Sequence, residues 1–173
     1  TSDNAWNIIG NQVPFGTLNT EGGDSPDKYM DGWDGYPAER ERLLNDIRDL
    51  GIGNLVIMTG DYHSSFAMEN DLNGTRSADD NLAVEFVVPS INSANYDEYM
   101  SVDSAKAAGR EYLRNNPHMK HADMIRHGYV RLSLSSDEAK AAFVYCASPK
   151  ASNPSVDTVV TYRVKQGSPV LFQ

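Results

Sequence analysis

The sequence has 173 residues, with 15 Lys and Arg against 24 Asp and Glu, a formal net charge of -9 at pH 7; that length suits one domain with its own core. Hydrophobic residues at 40% and charged residues at 23% exclude wholesale disorder, and no stretch approaches the roughly 20 apolar residues of a membrane-spanning helix. The acidic surface repels phosphate backbones, so nucleic acid is not expected as a standing partner, and the single cysteine, Cys146, excludes an intrachain disulfide and cysteine-rich zinc sites.

Residues Thr1–Trp6 are polar and do not read as a signal peptide. Ala5–Gly10 then reads as a short buried strand. From Gly16 to Gly35, Gly, Asp, Asn and Pro are frequent and periodicity is absent, so a long loop is expected. Pro37 suits the first turn of a helix, with Glu39 and Glu41 near its positive end. Leu43, Leu44, Ile47 and Leu50 recur at helical spacing, and Gly51 stops the helix. Asn54–Thr59, bounded by Gly53 and Gly60, has the continuous apolar character of a strand buried on both faces.

Asp71–Asn81 is polar and reads as a loop. It opens like a calcium loop at Asp71–Thr75, but its glycine and glutamate are misplaced for one; Asn73-Gly74-Thr75 is a glycosylation sequon. Leu82–Pro89 gives a further strand, and a helix centred on Val102–Arg114 ends before Pro117. Tyr129–Leu134, Ala142–Tyr145 and Thr158–Val164 alternate as antiparallel or edge strands do. Val170–Gln173 matches half of a protease recognition site used in cloning, and reads equally as a cloning scar or as a natural strand end. A helix leading into a buried strand, with a mostly β tail, sets the fold class as α/β (α+β).

Chemistry concentrates in Gly60-Asp61-Tyr62-His63-Ser64-Ser65, directly after the buried strand. Ligands of open α/β sheets bind beyond the carboxyl ends of strands. There a hard carboxylate and an imidazole two residues apart reach one metal ion or two neighbouring ones, and Gly60 permits a sharp turn. The structural alternative is an aspartate capping a turn and a histidine satisfied by it. Ser64 and Ser65 qualify as nucleophiles only if His63 is free to act as base.

The blocks Trp6–Val13, Trp33–Arg40, Thr59–Ser65, Val84–Ser90, Asn116–His118 and His127–Leu132 occur in this order at intervals that resemble the PhoD-like alkaline phosphatase family. Trp33-Asp34-Gly35-Tyr36 and Gly60-Asp61-Tyr62-His63-Ser64 are the specific ones, and beyond Ser148 the likeness fades. The resemblance implies the C-terminal half of a calcineurin-like four-layer α/β/β/α sandwich. It also implies a site of two or more metal ions, iron with calcium, or zinc or manganese. Asp61 and His63 are the implied ligands, and Asn11 is an implied ligand or phosphate contact. The implied activity is hydrolysis of phosphate monoesters, with diesters as a further substrate class, by a metal-bound hydroxide. A phospholipase D-type diesterase and a non-catalytic scaffold half are the alternatives.

Family motifs of the first half are expected on an N-terminal piece of the same enzyme, bound to this chain, and members of the family are typically secreted or periplasmic. Trp33, Asp34 and Tyr36 line the substrate entrance on this reading; alternatively Trp33 packs and Asp34 caps the following helix. His118 and His127 are candidates for general acid, phosphate contact or support of the ligands, against a packing role for each. His121 reads as a packing residue.

Overall fold

A computed structural model describes residues 4–21, 28–71, 80–152 and 154–173; the Asn73 sequon lies outside them. The helix expected around Leu44 and Ile47 is α1 (Pro37–Asp49), with Pro37 in its first turn. It ends in a Schellman motif. Gly51 adopts φ 64°, its N–H donates to the Arg48 carbonyl at 3.0 Å, and the Ile52 N–H donates to the Ile47 carbonyl at 2.9 Å. The second helix, α2 (Val102–Asn115), begins at Ser101, whose Oγ accepts the Ser104 N–H at 3.1 Å.

Strands β1 (Asn7–Asn11), β2 (Leu55–Thr59) and β4 (Asn81–Val87) pair in parallel. Strand β3 (Ser65–Asp71) runs antiparallel between β4 and β5 (Met119–Asp123), giving the order β1-β2-β4-β3-β5. A second, antiparallel sheet is a meander of β6 (Gly128–Leu134), β7 (Glu138–Cys146), β8 (Val156–Lys165) and β9 (Ser168–Phe172).

Side-chain alternation builds the layers. Val56, Val84 and Phe86 face the second sheet and pack on Ala141, Phe143 and Tyr162. Their neighbours Leu55, Ile57 and Ala83 face the other way, onto Leu44 and Ile47 of α1. Phe66, Met68 and Val87 meet Tyr112 of α2. Helices, mixed sheet and antiparallel sheet thus form three layers of a two-sheet sandwich; the described residues form no fourth, helical layer over the second sheet.

Two strands, β3 and β5, fall where no strand was expected. Strand β3 buries Glu69 and Asn70, and both are satisfied. Glu69 accepts the Leu171 N–H at 2.8 Å and the Asn81 amide at 3.3 Å, and pairs with Lys120 at 3.2 Å. The first of these bonds also ties β9, with Leu171 buried, to the mixed sheet.

Glu85, on the central strand β4, is fully buried and satisfied. Its carboxylate accepts the Phe15 N–H at 2.9 Å, the Gly16 N–H at 2.8 Å, the Thr59 hydroxyl at 2.6 Å and the Asn70 amide at 3.2 Å. Burial raises its pKa and the four donors oppose that rise. The Gly16 backbone approaches so closely that a Cβ there would lie 2.4 Å from Asn70 Oδ1. Replacing Glu85 by Ala strands four buried donors, so Glu85→Ala is expected to cost on the order of 3 kcal/mol or more in denaturant unfolding.

His121 of β5 lies against Phe143 and Tyr162, with ring centroids 5.0 and 6.0 Å away, and its Nε2 is 3.1 Å from Tyr145 Oη. Burial lowers its pKa from 6.5 to about 4. The fold therefore favours the neutral ring: this contribution is complete above pH about 6.5 and is lost as pH falls towards about 4. Urea midpoints at pH 7 and pH 4 are expected to differ less in His121→Phe than in the unmodified protein.

Candidate functional site

The three parallel strands end at one edge of the sheet, and the loops that leave them meet there. The Gly60 N–H donates to the Asn11 carbonyl at 3.3 Å and the Val88 N–H to the Thr59 carbonyl at 2.8 Å, joining the ends of β1, β2 and β4. Between β2 and β3 the chain has only Gly60–Ser64 in which to reverse.

It does so with two left-handed residues, Asp61 at φ 71° and His63 at φ 58°. The Tyr62 N–H donates to the Gly60 carbonyl at 2.9 Å, closing a three-residue turn on Asp61 of the rare positive-φ kind. Gly60 is not the left-handed residue, and a Cβ there would meet nothing closer than the Gln12 carbonyl at 3.6 Å. The sharp turn expected of Gly60 belongs instead to the two residues bearing the functional groups. Left-handed backbone at non-glycine residues costs on the order of 1–2 kcal/mol each.

The strained turn splits the loop into two faces. Asp61 and His63 are exposed, while Tyr62 between them is buried. The Tyr62 ring packs on Phe66, at 5.2 Å between centroids, and edge-on to Tyr29, at 4.8 Å. Its hydroxyl bonds that of Tyr112 on α2 and lies 3.3 Å from that of Tyr96. Burial, followed by the neighbouring phenols, pushes the Tyr62 pKa far upward, so it stays neutral. The Tyr29 phenol is also shifted upward, by burial first and then by the Asp61 carboxylate.

The His63 ring has one fixed nitrogen. Its Nδ1 lies 3.1 Å from the Ala94 carbonyl, on the loop after β4. A carbonyl only accepts, so Nδ1 carries the proton and the lone pair of the neutral ring is on Nε2. Metal-ligating histidines have this pattern. Carboxylate and Nε2 suit first-row ions, and the carboxylate suits calcium. The loop therefore fits part of a metal site. Among the described residues no three His, Cys, Asp or Glu side chains gather closely enough to hold an ion, and Asp61 with His63 would provide only two of the roughly six donors a hard ion takes.

Asn11 and Trp33 come together beside the strand ends. The Trp33 Nε1–H donates to Asn11 Oδ1 at 3.3 Å, and Trp33 packs edge-on to Phe15 at 5.1 Å. Asn11 Nδ2 donates to Thr59 Oγ1 at 3.3 Å and to the Val13 carbonyl. The Asn11 side chain thus extends the Glu85–Thr59 bond out to Trp33. Asp34 does not cap α1, whose N-cap is Tyr36 with no side-chain cap. It is buried, accepts the Leu18 N–H at 2.8 Å and pairs with Arg40 at 2.7 Å, pinning the preceding loop to the first turns of the helix. Tyr36 is exposed.

The structure does not bring His118 to this loop. Its Nε2 lies 2.9 Å from the Thr17 carbonyl, and its own carbonyl accepts the Glu69 N–H at 3.0 Å. Glu69 is four residues along β3 from Ser65, about 14 Å at strand rise. Ser64 and Ser65 turn inward and are fully buried, away from the face that carries His63. Sequence reasoning missed Glu85 and the Ala94 carbonyl; a single charge within the apolar run Val84–Val88 was the available signal for the first.

The described residues thus form a two-sheet α/β sandwich with polar, ligand-type side chains at the carboxyl ends of its parallel strands. The chain belongs to the PhoD-like phosphatase family, whose model matches residues 1–143. It is 33% identical over 138 residues to alkaline phosphatase D of Bacillus subtilis (strain 168), covering 80% of this chain and 23% of that protein. A solved structure of PhoD superposes with a TM-score of 0.82 at 27% identity, covering 97% of this chain and 31% of that one. The chain thus spans less than a third of the length of each of these relatives.

Removing the Tyr62 hydroxyl alone is expected to cost about 1 kcal/mol, whereas Tyr62→Ala, which also removes the ring from the core, is expected to cost about 3–5 kcal/mol. Denaturant unfolding of both variants measures the difference.

Proposed function

We propose that this chain supplies part of the metal site of an exported phosphoesterase that hydrolyses phosphate monoesters, with diesters as a further substrate class. The observation that carries this is the exposed His63, whose Nδ1 is held by the Ala94 carbonyl and which stands two residues from the exposed Asp61 at the strand ends. Family membership supports phosphoester chemistry, and the relative at 33% identity is called alkaline phosphatase D. Bound metal ions would lower the pKa of a water molecule and neutralise charge on the phosphoryl oxygens and leaving group. Iron with calcium are the ions the family resemblance favours, with zinc or manganese the other candidates.

Asp61, His63, Asn11 and Trp33 have the parts in this reading. Asp61 Oδ and His63 Nε2 hold the ions. Asn11 and Trp33 form the neighbouring wall, where a substrate's ester group would lie. The remaining donors come from an N-terminal piece of the same enzyme. Two features support such a partner: β1 is an edge strand among the described residues, and Tyr129 and Val156 of the second sheet are exposed. Export rests on the family resemblance; among the described residues no helix is long and apolar enough to cross a membrane.

In the full-length protein, Asp61→Ala and His63→Ala are each expected to release metal and to lower phosphate release from a chromogenic monoester by on the order of 100-fold or more. Chelation is expected to have the same effect on the unmodified enzyme, and metal addition to reverse it. Activity that survives exhaustive chelation contradicts the metal reading. Unchanged metal content and turnover in both variants would make this chain a scaffold half.

A further inference from the structure

The Ala94 carbonyl that fixes His63 sits on a turn with its own supports, and they lead away from the strand ends into the second sheet. Asn95 is 1% exposed and His127 6% exposed, although both are polar. Ser90 Oγ lies 2.7 Å from the Ser93 carbonyl, 2.7 Å from Asn95 Oδ1 and 3.0 Å from His127 Nδ1. The first two are acceptors and share the single hydroxyl proton, so the third partner must donate: His127 carries its proton on Nδ1. Asn95 Nδ2 donates to the Ile125 carbonyl at 2.9 Å, which fixes the orientation of its amide. Two backbone bonds complete the brace, Tyr96 N–H to the Met124 carbonyl at 3.1 Å and Gly128 N–H to the Ser90 carbonyl at 3.0 Å.

We infer that His127 and Ser90 are positioning residues that set the His63 imidazole for metal ligation by fixing the Ala94 carbonyl. This rests on the reading of His63 as a metal ligand. The path runs from His127 Nδ1–H to Ser90 Oγ, then to Asn95 Oδ1, to the Ala94 carbonyl next in the chain, and to His63 Nδ1–H. Every bond in it is buried or half-buried apart from the last, which faces the site. An exposed histidine on a strained turn has free ring rotation unless something stops it, and Ala94 is the acceptor that does so. Outer partners of ligating histidines typically contribute 10–100-fold in metal affinity.

The test uses the full-length protein stripped of metal, with manganese(II) alone as the probe. Equilibrium dialysis gives its dissociation constant, and the melting temperature of each metal-free variant reports general damage. Ser90→Ala and His127→Phe are expected to weaken manganese binding about ten-fold. His127→Asn, whose amide nitrogen replaces Nδ1 as donor, is expected to stay within about three-fold of the unmodified protein. Affinity should follow the donor at that position and not the metal-free melting temperature. Should His127→Phe fail to fold, Ser90→Ala, which removes only the hydroxyl, carries the test.

Ser90→Ala binding manganese as tightly as the unmodified protein would overturn the inference, as would equal losses in His127→Asn and His127→Phe. His63→Ala separates this from failure of the underlying reading. If His63→Ala weakens binding while the Ser90 and His127 variants do not, the inference alone falls. If His63→Ala leaves the dissociation constant unchanged, both fall.

Discussion

The Glu85 carboxylate, buried in the middle of the mixed sheet, is the constraint on which the site edge depends. A buried carboxylate is tolerated only when its oxygens are filled by donors, and this one takes them from three different segments. Phe15 and Gly16 bring the loop after β1 down onto the sheet, Thr59 closes the end of β2, and Asn70 comes from β3. The Thr59 hydroxyl passes the order on to Asn11, and Asn11 to Trp33. A core requirement, satisfying one charge, therefore sets where the outermost candidate substrate residues stand.

The Asp61–His63 loop is built on a second constraint, strain offset by anchoring. Two left-handed residues turn the chain so that their side chains leave the protein while Tyr62 enters it. Tyr62 is held by aromatic packing against Tyr29 and Phe66 and by its bond to Tyr112 on α2. The cost of the unusual backbone is thereby carried by α2 and the tyrosine cluster, and the ligand-type groups stay exposed. The loop after β4 completes the arrangement by fixing His63 through Ala94.

Much of this was legible from the sequence where one physical signal dominated. The apolar run Leu55–Met58 and the helical spacing of Leu44 and Ile47 placed β2 and α1, and the proline and glycine at either end bounded the helix. The Asp-x-His spacing after β2 located the candidate ligands, because the end of a buried parallel strand is where such groups gather. Strands β3 and β5 were hidden because Glu69, Asn70 and His121 break the apolar pattern; each is compensated by a partner distant in sequence. Asp34 read either as part of the substrate entrance or, because it precedes Pro37, as a helix cap, yet its partners are Leu18 behind it and Arg40 ahead of it. Left-handed backbone at Asp61 and His63 has no local signature stronger than the enrichment of such residue types there.

The central claim is that His63 meets a metal through Nε2 while Nδ1 stays on the Ala94 carbonyl. Anomalous scattering from crystals of the full-length, metal-loaded protein tests it most directly. The account predicts an ion on His63 Nε2 and the Asp61 carboxylate, with the Nδ1 to Ala94 bond intact. Ions lying away from both side chains, or a His63 ring turned to ligate through Nδ1, would contradict it.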